Sequence, residues 1–270
     1  MDKFVLITGA AGGLGQSLTK IFHQNGWKVV ATDLLPMAQD EHFLNSGIRV
    51  FQMDVTSNES VTEVFKQLND EKICIQLIIN NAGIDSYFPL SEKKVEHFQK
   101  IFEVNVFGAY RVNQVFLPIL QKPGGKIIHI GSESLNLTVP FMPYPLSKKL
   151  LEGYARVLRL ELKFYGIDVT VVRPGAIKTP LLEQVKNLWN KEQSQFLKKP
   201  FDAFSKTAGT EIGKTITPWS AARFIYQIAS MPRTRHLYRI NNTLKLRIAA
   251  WLPYKMVENY MYQRLSRMKG

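Results

Sequence analysis

The sequence contains almost no cysteine and no long apolar run. Among its 270 residues there is one cysteine, so an internal disulfide is excluded. Cys74 lies between apolar residues, which predicts a buried, unreactive thiol, and the composition suits a reducing compartment. No apolar run approaches the roughly 20 residues of a membrane-spanning helix, and Phe4–Thr8 is too short for a signal peptide. We therefore expect a cytoplasmic protein.

Acidic residues are scarce relative to basic ones. The chain has 35 Lys and Arg against 22 Asp and Glu, a net charge of +13. From Met231 to Gly270 there are nine Lys or Arg, and Glu258 is the one acid. A nucleic acid, an anionic membrane or an acidic ligand would suit this charge, and so would solubility alone. No nucleic-acid recognition motif accompanies this charge, so we predict no nucleic-acid partner. We also predict no metal site.

The first two-thirds of the chain alternates strand-like and helix-like segments. Short Val- and Ile-rich runs predict buried parallel strands. These runs are Phe4–Thr8, Lys28–Asp33, Arg49–Asp54, Gln76–Asn81, Lys126–Ser132 and Asp168–Arg173. Amphipathic segments between them predict helices, with N-cap residues in 57–60 and 91–94. These segments are Leu14–Asn25, Ser60–Leu68, Ser91–Leu120 and Tyr144–Phe164. The alternation predicts an α/β fold, a doubly wound parallel sheet of Rossmann type with helices on both faces.

Residues 1–240 show no repeat and no linker, which predicts one catalytic domain. Residues 179–218 form a long mixed segment that we interpret as a lid. Pro218–Ser230 predicts a further helix, and His236–Ile240 predicts a last strand.

Residues 241–270 predict a C-terminal extension of two amphipathic helices broken at Pro253. Their apolar stripe comprises Leu244, Ile248, Trp251, Leu252, Tyr254, Val257, Met261, Leu265 and Met268. We favour docking of this stripe on the protein itself or on a partner subunit. The alternative is peripheral contact of residues 244–270 with an anionic membrane.

A glycine-rich loop, Thr8-Gly-Ala-Ala-Gly-Gly-Leu-Gly15, joins the first strand to the first helix. Gly9, Gly13 and Gly15 allow a sharp turn and a close approach of the backbone to a pyrophosphate. The following helix offers free N–H groups and a positive dipole end to the same phosphates. The motif therefore predicts a dinucleotide site.

Asp33 ends the second strand, eighteen residues beyond Gly15. A carboxylate there accepts hydrogen bonds from an adenosine ribose diol and repels a 2′-phosphate. Leu34 follows, where a protein that binds NADP often has a basic residue. We therefore favour NAD over NADP. Asp54 ends the third strand, where contact with the adenine edge and a turn role are about equally plausible.

Tyr144 and Lys148 are four residues apart, so on a helix they share one face. An ammonium group beside a phenol favours the phenolate and lowers its pKa. Pro145 suits a first helical turn, where the helix dipole has the same effect. Ser132 follows a strand-like run and has the better spacing to Tyr144, while Ser134 is a rival. These residues indicate proton transfer at an alcohol or carbonyl oxygen.

The ordered motifs, from Lys3 to about Pro180, resemble the short-chain dehydrogenase/reductase family. Besides the glycine loop, they include Asn80-Asn-Ala-Gly83, Asn105, the Ser132–Tyr144–Lys148 set and Arg173-Pro-Gly-Ala-Ile-Lys-Thr179. The tail more loosely resembles those of steroid- and retinol-type members. The family implies a Rossmann-type fold and hydride transfer between a nicotinamide cofactor and a secondary alcohol or ketone.

The resemblance also implies residue roles. Tyr144 would be the general acid-base, Lys148 would lower its pKa and bind the nicotinamide ribose, and Asn105 would hold a water. The implied substrate residues are Ser132, Ser134, Met142 and Tyr144. The implied cofactor residues are Thr8, Gly9, Gly13, Leu14, Gly15, Asp33, Asp54, Val55, Asn81, Ala82, Gly83, Tyr144, Lys148, Pro174, Gly175, Ile177 and Thr179.

The sequence predicts the substrate and the partner subunits less closely than it predicts the cofactor and the catalytic residues. Apolar residues of the lid, with Phe141 and Met142, predict an apolar pocket for a steroid, retinoid or other lipid-like molecule; the alternative is that they pack the lid onto the domain. The family implies a homodimer or homotetramer formed through 91–120 and 144–164. An alternative function is an NAD(H)-binding regulatory or scaffold protein with little turnover.

Overall fold

The computed structural model describes residues 2–37, 43, 47–136, 139–211, 214–241 and 252–267. Its strands are β1 (Phe4–Thr8), β2 (Lys28–Asp33), β3 (Arg49–Gln52), β4 (Ile75–Asn80), β5 (Lys126–Ile130), β6 (Asp168–Pro174) and β7 (Leu237–Ile240). They form one parallel sheet in the order β3-β2-β1-β4-β5-β6-β7. The order reverses between β1 and β4, which makes the carboxyl edge there a topological switch point and a ligand crevice.

The helices cover both faces of the sheet. They are α1 (Gly13–Gln24), α2 (Asn58–Asp70), α3 (Val95–Phe102), α4 (Gly108–Phe116), α5 (Tyr144–Leu162), α6 (Pro180–Lys191), α7 (Lys198–Glu211), α8 (Pro218–Ser230) and α9 (Tyr254–Arg267). Successive strand residues face opposite sides, so Val5 and Ile7 pack in a layer with α1 and α8, while Leu6 packs with α2, α4 and α5. The predicted fold class is confirmed.

Two local predictions were wrong. Cys74 is exposed, because the buried positions alternate at Ile73 and Ile75 and leave the residue between them on the outside. Ser91 does not cap a helix, since α3 begins at Val95 after an N-cap at Lys94. Ser57 does act as a cap, because its side chain accepts a hydrogen bond from the N–H of Ser60.

The long helix predicted over 91–120 is interrupted. A π-helical stretch, Glu103–Phe107, separates α3 from α4, and a short 3₁₀ helix, Leu117–Ile119, follows α4. π-turns within helices are frequent at functional sites, and this one contains Asn105.

The lid and the tail are helical where they are described. The lid segment contains α6 and α7, and α9 forms the second of the two tail helices. The predicted first tail helix, before Pro253, lies almost entirely outside the described residues. No helix in the described ranges is long and apolar enough to cross a membrane.

Candidate active site

The glycine loop has no room for larger side chains. A Cβ on Gly15 would lie 2.1 Å from the Gly9 carbonyl oxygen, and one on Gly9 would lie 2.8 Å from Ala82 Cα. Gly9 also has a φ of +66°, which other residues rarely adopt. α1 begins at Gly13, so its first backbone N–H groups lie at the loop. This cradle fits the pyrophosphate of a dinucleotide.

Asp33 lies beside the glycine loop, at the end of β2. Its Oδ2 accepts a hydrogen bond from the Ala11 N–H at 2.9 Å, and its Oδ1 accepts one from the Leu35 N–H at 3.1 Å. The carboxylate is therefore held next to the phosphate cradle, as a ribose-binding acid must be. Leu34 is 58% exposed and brings no positive charge to this position.

Asp54 and Val55 follow β3. Asp54 Oδ1 accepts hydrogen bonds from the N–H of Thr56 at 2.8 Å and from its hydroxyl at 2.7 Å. This geometry supports the turn interpretation of Asp54. Val55 is buried, and its carbonyl oxygen accepts a hydrogen bond from Arg111 at 2.6 Å.

Asn81 and Ala82 connect the end of β4 to the glycine loop. Asn81 Nδ2 donates to the carbonyl oxygens of Thr8 and Gly9, at 3.0 and 2.9 Å. In return, Thr8 Oγ1 accepts from the N–H groups of Asn81 and Ala82, at 3.1 and 3.0 Å. The two predicted cofactor segments are thus hydrogen-bonded into one unit.

Asn105 uses its side chain to join the π-helical stretch to the segment after β4. Its Nδ2 donates to the Ile84 carbonyl oxygen and to Ser147 Oγ, both at 2.9 Å, and its Oδ1 accepts from the Ile84 N–H at 2.8 Å. Both amide hydrogens therefore have protein partners. A water bound to this side chain would have to donate to the remaining lone pair of Oδ1.

The structure brings Ser132, Tyr144 and Lys148 together, and we call these three residues the reactive cluster. Tyr144 is the first residue of α5, and Ser132 hydrogen-bonds its phenol from the segment after β5. Lys148 Nζ lies 5.5 Å from the centroid of the Tyr144 ring and donates to the Ile130 carbonyl oxygen at 2.9 Å. The end of β5 and the start of α5 thus meet at the carboxyl edge of the sheet.

Ser134 and Glu133 support the cluster from its outer side. Ser134 Oγ lies 2.8 Å from Ser132 Oγ, and its N–H donates to the same oxygen at 3.2 Å. Ser134 therefore contacts the serine that bonds Tyr144. The Glu133 side chain is 1% exposed and faces Arg239 of β7 at 3.5 Å, so it does not project into solvent.

Burial dominates the electrostatics of the cluster. It raises the pKa of Tyr144 well above its ordinary value, and the charge of Asp85 adds to the effect, while the Ser132 hydrogen bond opposes it. Burial also lowers the pKa of Lys148 to about 8, against the attraction of Asp85. The lowered Tyr144 pKa that we expected is not found, because desolvation of the phenolate outweighs the helix end and the lysine.

Asp85 is the residue of this site that the sequence analysis missed. Burial raises its pKa to about 7, opposed by a hydrogen bond from the Ser86 N–H and by the charge of Lys148. Its place five residues beyond Asn80, at the carboxyl end of β4, was the available signal, since ligands of such sheets bind outside the strand ends.

The segment after β6 lies against the glycine loop. A Cβ on Gly13 would lie 3.0 Å from Pro180 Cδ and 3.3 Å from Thr179 Cβ. Gly175 donates to the Ile240 carbonyl oxygen at 2.8 Å and has no space for a Cβ. Pro174 ends β6, and Ile177 forms a bridge with Ile216.

The lid is attached to the domain by an aromatic cluster, which consists of Tyr87, Phe141, Phe201 and Phe204. The Tyr87 ring stacks on Phe201 with centroids 4.7 Å apart, and its hydroxyl lies 2.8 Å from Ser205 Oγ. All four rings are buried, which favours the packing interpretation of these lid residues over a pocket lining. Partly buried apolar side chains pack around them: Val139, Met142, Leu188, Met261 and Leu265.

Glu92 attaches the turn between the two lid helices. Its carboxylate accepts hydrogen bonds from the Gln195 N–H at 2.7 Å and the Phe196 N–H at 3.3 Å, and also from the Ser194 hydroxyl. Lys93 adds an ion pair with Glu192 at 2.7 Å. The lid is therefore held at its polar turn as well as at its aromatic face.

Solved structures share this architecture along the whole chain. A short-chain dehydrogenase from Streptomyces avermitilis superimposes with a TM-score of 0.79, covering 99% of this chain and 98% of that one at 21% identity. A 3-ketoacyl-(acyl-carrier-protein) reductase from Brucella melitensis, complexed with NADH, superimposes with a TM-score of 0.70 over 88% of this chain and 96% of that one, at 22% identity.

The fold and the site together define a nicotinamide-dependent oxidoreductase. The family model for short chain dehydrogenase matches residues 3–190. The chain therefore belongs to the short-chain dehydrogenase family, whose members use NAD(P) and act on CH–OH groups.

The sequence relatives within the family are diverse. The uncharacterized oxidoreductase YusZ of Bacillus subtilis is 29% identical over 97% of this chain and 98% of its own length. The NADPH-dependent 1-acyldihydroxyacetone phosphate reductase of Schizosaccharomyces pombe is 34% identical over 67% of this chain and 62% of its own length. Estradiol 17-beta-dehydrogenase 2 of Rattus norvegicus is 30% identical over 79% of this chain and 57% of its own. These matches single out no steroid subgroup.

Proposed function

We propose that this protein is an NAD-dependent dehydrogenase or reductase of an apolar secondary alcohol or ketone. The observation that carries the proposal is the reactive cluster, assembled beside the glycine cradle at the switch point of the sheet. Its chemistry suits one oxygen atom that gains or loses a proton while the adjacent carbon gains or loses a hydride. A bound nicotinamide supplies or accepts that hydride.

Tyr144 moves the proton. In reduction, its hydroxyl donates a proton to the substrate oxygen as that oxygen becomes an alkoxide, and in oxidation the phenolate takes the proton back. Ser132 donates a hydrogen bond to the same oxygen and orients it. Lys148 stabilises the phenolate by its charge, and it is held in place by the Ile130 carbonyl oxygen. The raised pKa of Tyr144 keeps it protonated at neutral pH, which favours its role as an acid.

The cofactor would be held by the glycine cradle, by Asp33 and by the segment 174–179. The loop glycines and the first N–H groups of α1 would bind the pyrophosphate, and Asp33 would bind the adenosine ribose. Thr179 lies against Gly13, which places 174–179 beside the cradle as a nicotinamide-binding segment requires. The negative charge of Asp33, with the exposed apolar Leu34 beside it, supports NAD over NADP.

Asp33→Asn is expected to lower the preference for NADH over NADPH by about 10–100-fold, since charged hydrogen bonds contribute about 1.5–3 kcal/mol. NADH binding weakens and NADPH binding strengthens, because repulsion of the 2′-phosphate is removed. Fluorescence titration of each dinucleotide measures both effects without turnover. Asp70→Asn, the same change on the exposed end of α2, serves as the control and should alter neither. Tighter NADPH binding by the unaltered protein would contradict the assignment.

The apolar substrate class is supported by Met142 and by the relatives. Met142, two residues before Tyr144, is a partly buried apolar side chain, and two relatives are named for estradiol and for 1-acyldihydroxyacetone phosphate. A screen of steroid, retinoid and fatty alcohols and ketones, followed by NADH fluorescence, tests the proposal. Saturable cofactor binding with no turnover across that screen would instead support a regulatory protein.

We also propose a homodimer or homotetramer with α4 and α5 at the interface. One exposed stripe of α5 and the turn after it is apolar: Leu146, Leu150, Val157 and Phe164. Tyr110 of α4 is also half-exposed, and its ring contacts that of Tyr154 of α5 with centroids 5.6 Å apart, so α4 adds exposed aromatic surface beside this helix. Changing Leu150 and Val157 to Asp is expected to give a monomer by light scattering. An unchanged mass would place the interface elsewhere.

The described part of the tail supports docking on the protein itself. Met261 and Leu265 of α9 pack against the aromatic cluster, while Met256 and Tyr260 on the opposite side are exposed. Peripheral membrane contact through residues 244–270, like the cytoplasmic location, stays a prediction.

A further inference from the structure

Asp85 is held close to the reactive cluster by the backbone that precedes it. A Cβ on Gly83 would lie 3.4 Å from Lys148 Nζ, so the chain passes directly beside the ammonium group. Asn105 then binds both backbone groups of Ile84, at 2.8 and 2.9 Å. The residue after Ile84 therefore has a fixed backbone position at the edge of the cluster.

The Asp85 carboxylate has one oxygen committed to the protein. Oδ1 accepts a hydrogen bond from the Ser86 N–H at 2.6 Å. Among the residues that the structure describes, none hydrogen-bonds Oδ2, and no lysine or arginine forms an ion pair with the side chain. The side chain is half-buried, and Oδ2 keeps some accessible surface, so a bound molecule can reach it.

The donors of the reactive cluster have other partners. Lys148 Nζ donates one of its three hydrogens to the Ile130 carbonyl oxygen, and the Tyr144 phenol is paired with Ser132. The charge of Asp85 acts on the pKa of both side chains, and Gly83, two residues before it, lies against Lys148 Nζ, so the carboxylate is near the reactive cluster. A hydroxyl group on a bound substrate would supply the donor that the protein does not.

We propose that Asp85 is a specificity-determining residue that accepts a hydrogen bond from a substrate hydroxyl on the carbon next to the reacting one. The inference deepens the proposed function and rests on it. It makes the substrate an α-hydroxy ketone or, in the other direction, a vicinal diol with an apolar remainder. A site built to bind a hydroxyl rejects the analogue without it, because its own polar group is then left without a partner.

The test compares matched ketones. Acetoin and butanone, 2-hydroxycyclohexanone and cyclohexanone, and benzoin and deoxybenzoin each differ by one hydroxyl next to the carbonyl. The unaltered protein should reduce the hydroxylated member with a kcat/KM about 100-fold or more above its partner. Asp85→Ala should bring that ratio to within a few-fold of one. Asp85→Asn keeps an acceptor oxygen, so it should retain a preference of about tenfold. Thermal melts and NADH titration show that both variants are folded and bind cofactor.

Other outcomes overturn the inference in distinguishable ways. If Asp85 acted only through its charge on Tyr144, Ala and Asn would change both ketones of a pair by one factor and shift the pH profile equally. If the unaltered protein showed no preference for the hydroxylated ketone of a pair, the role of Asp85 in hydroxyl recognition would be contradicted, but the proposed oxidoreductase function would stand. Turnover in the lipid screen without turnover of any hydroxy ketone would lead to the same conclusion. No turnover in either the lipid screen or the ketone pairs would contradict the proposed function as well.

Discussion

Tyr144→Phe should lower kcat by about 10²–10⁴-fold in both directions and leave NADH affinity within about twofold. The change removes one hydroxyl and keeps the ring over which Lys148 lies. In this variant only water can donate the proton to the substrate oxygen or accept it. The glycine cradle, Asp33 and Lys148 are unchanged, so the cofactor should still bind. Steady-state turnover and a fluorescence titration with NADH separate the two effects.

Tyr262→Phe provides the matched control, because Tyr262 is exposed on α9 and lies outside the reactive cluster. It should leave kcat unchanged. Turnover of Tyr144→Phe within a few-fold of the unaltered protein would contradict the acid-base assignment. Loss of NADH binding in the same variant would show that the phenol serves the cofactor instead.

The strands and the reactive cluster could be predicted because local chemistry specifies them. Parallel strands buried on both faces need continuous Val and Ile, so runs such as Lys28–Asp33 match their observed bounds. The glycine positions are equally local, since a Cβ at Gly15 would overlap the carbonyl oxygen of Gly9 in the same loop. Tyr144 and Lys148 lie one helical turn apart in any helix.

Features set by distant contacts could not be predicted in this way. The interruption of the helix at Glu103–Phe107 accompanies hydrogen bonds from Asn105 to Ile84 and Ser147. The local sequence around Asn105 does not predict these contacts, because both partners are distant in the chain. The role of the lid aromatics was equally open, because apolar composition suits both a core and a pocket. Asp85 was missed because its one signal, a place after the carboxyl end of β4, does not separate it from the other residues of that loop.

The pKa of Tyr144 shows the same limit at the level of energies. A lysine one turn away and a helix start both favour the phenolate, and these terms are visible in sequence. Burial and the charge of Asp85 act in the opposite direction and depend on the folded structure. The sign of the shift therefore follows from the tertiary environment.

Glu152→Ala should destabilise the fold by about 3–5 kcal/mol at neutral pH, the cost of removing one member of a buried ion pair. Glu152 of α5 receives two hydrogen bonds of 2.6 Å from Arg173 of β6, and both side chains are about 6% exposed. The guanidinium stays buried between sheet and helix with one carboxylate fewer. At about 2–4 °C per kcal/mol, the melting temperature should fall by roughly 6–20 °C.

An exposed pair provides the control. Lys186 and Glu183 on α6 are 2.8 Å apart but 39% and 57% exposed, so Glu183→Ala should cost at most about 1 kcal/mol. Replacing both buried partners, with Glu152→Leu and Arg173→Met, should recover part of the loss, because no buried charge then lacks its counterpart. Equal effects of Glu152→Ala and Glu183→Ala would contradict the assigned burial.

The effect of Glu152→Ala should also depend on pH with a defined sign. Burial alone would raise the pKa of Glu152, but the hydrogen bonds and charge of Arg173, and then those of Arg156, bring it below the ordinary value of 4.5. The folded-state pKa of Glu152 is lowered, so the stabilisation from its charge is fully present above the ordinary pKa of 4.5. It is lost as the pH falls through the folded-state pKa. Melting curves of the two proteins should therefore converge on acidification. A difference that stayed constant between pH 7 and pH 3 would assign the loss to packing of the side chain and not to its charge.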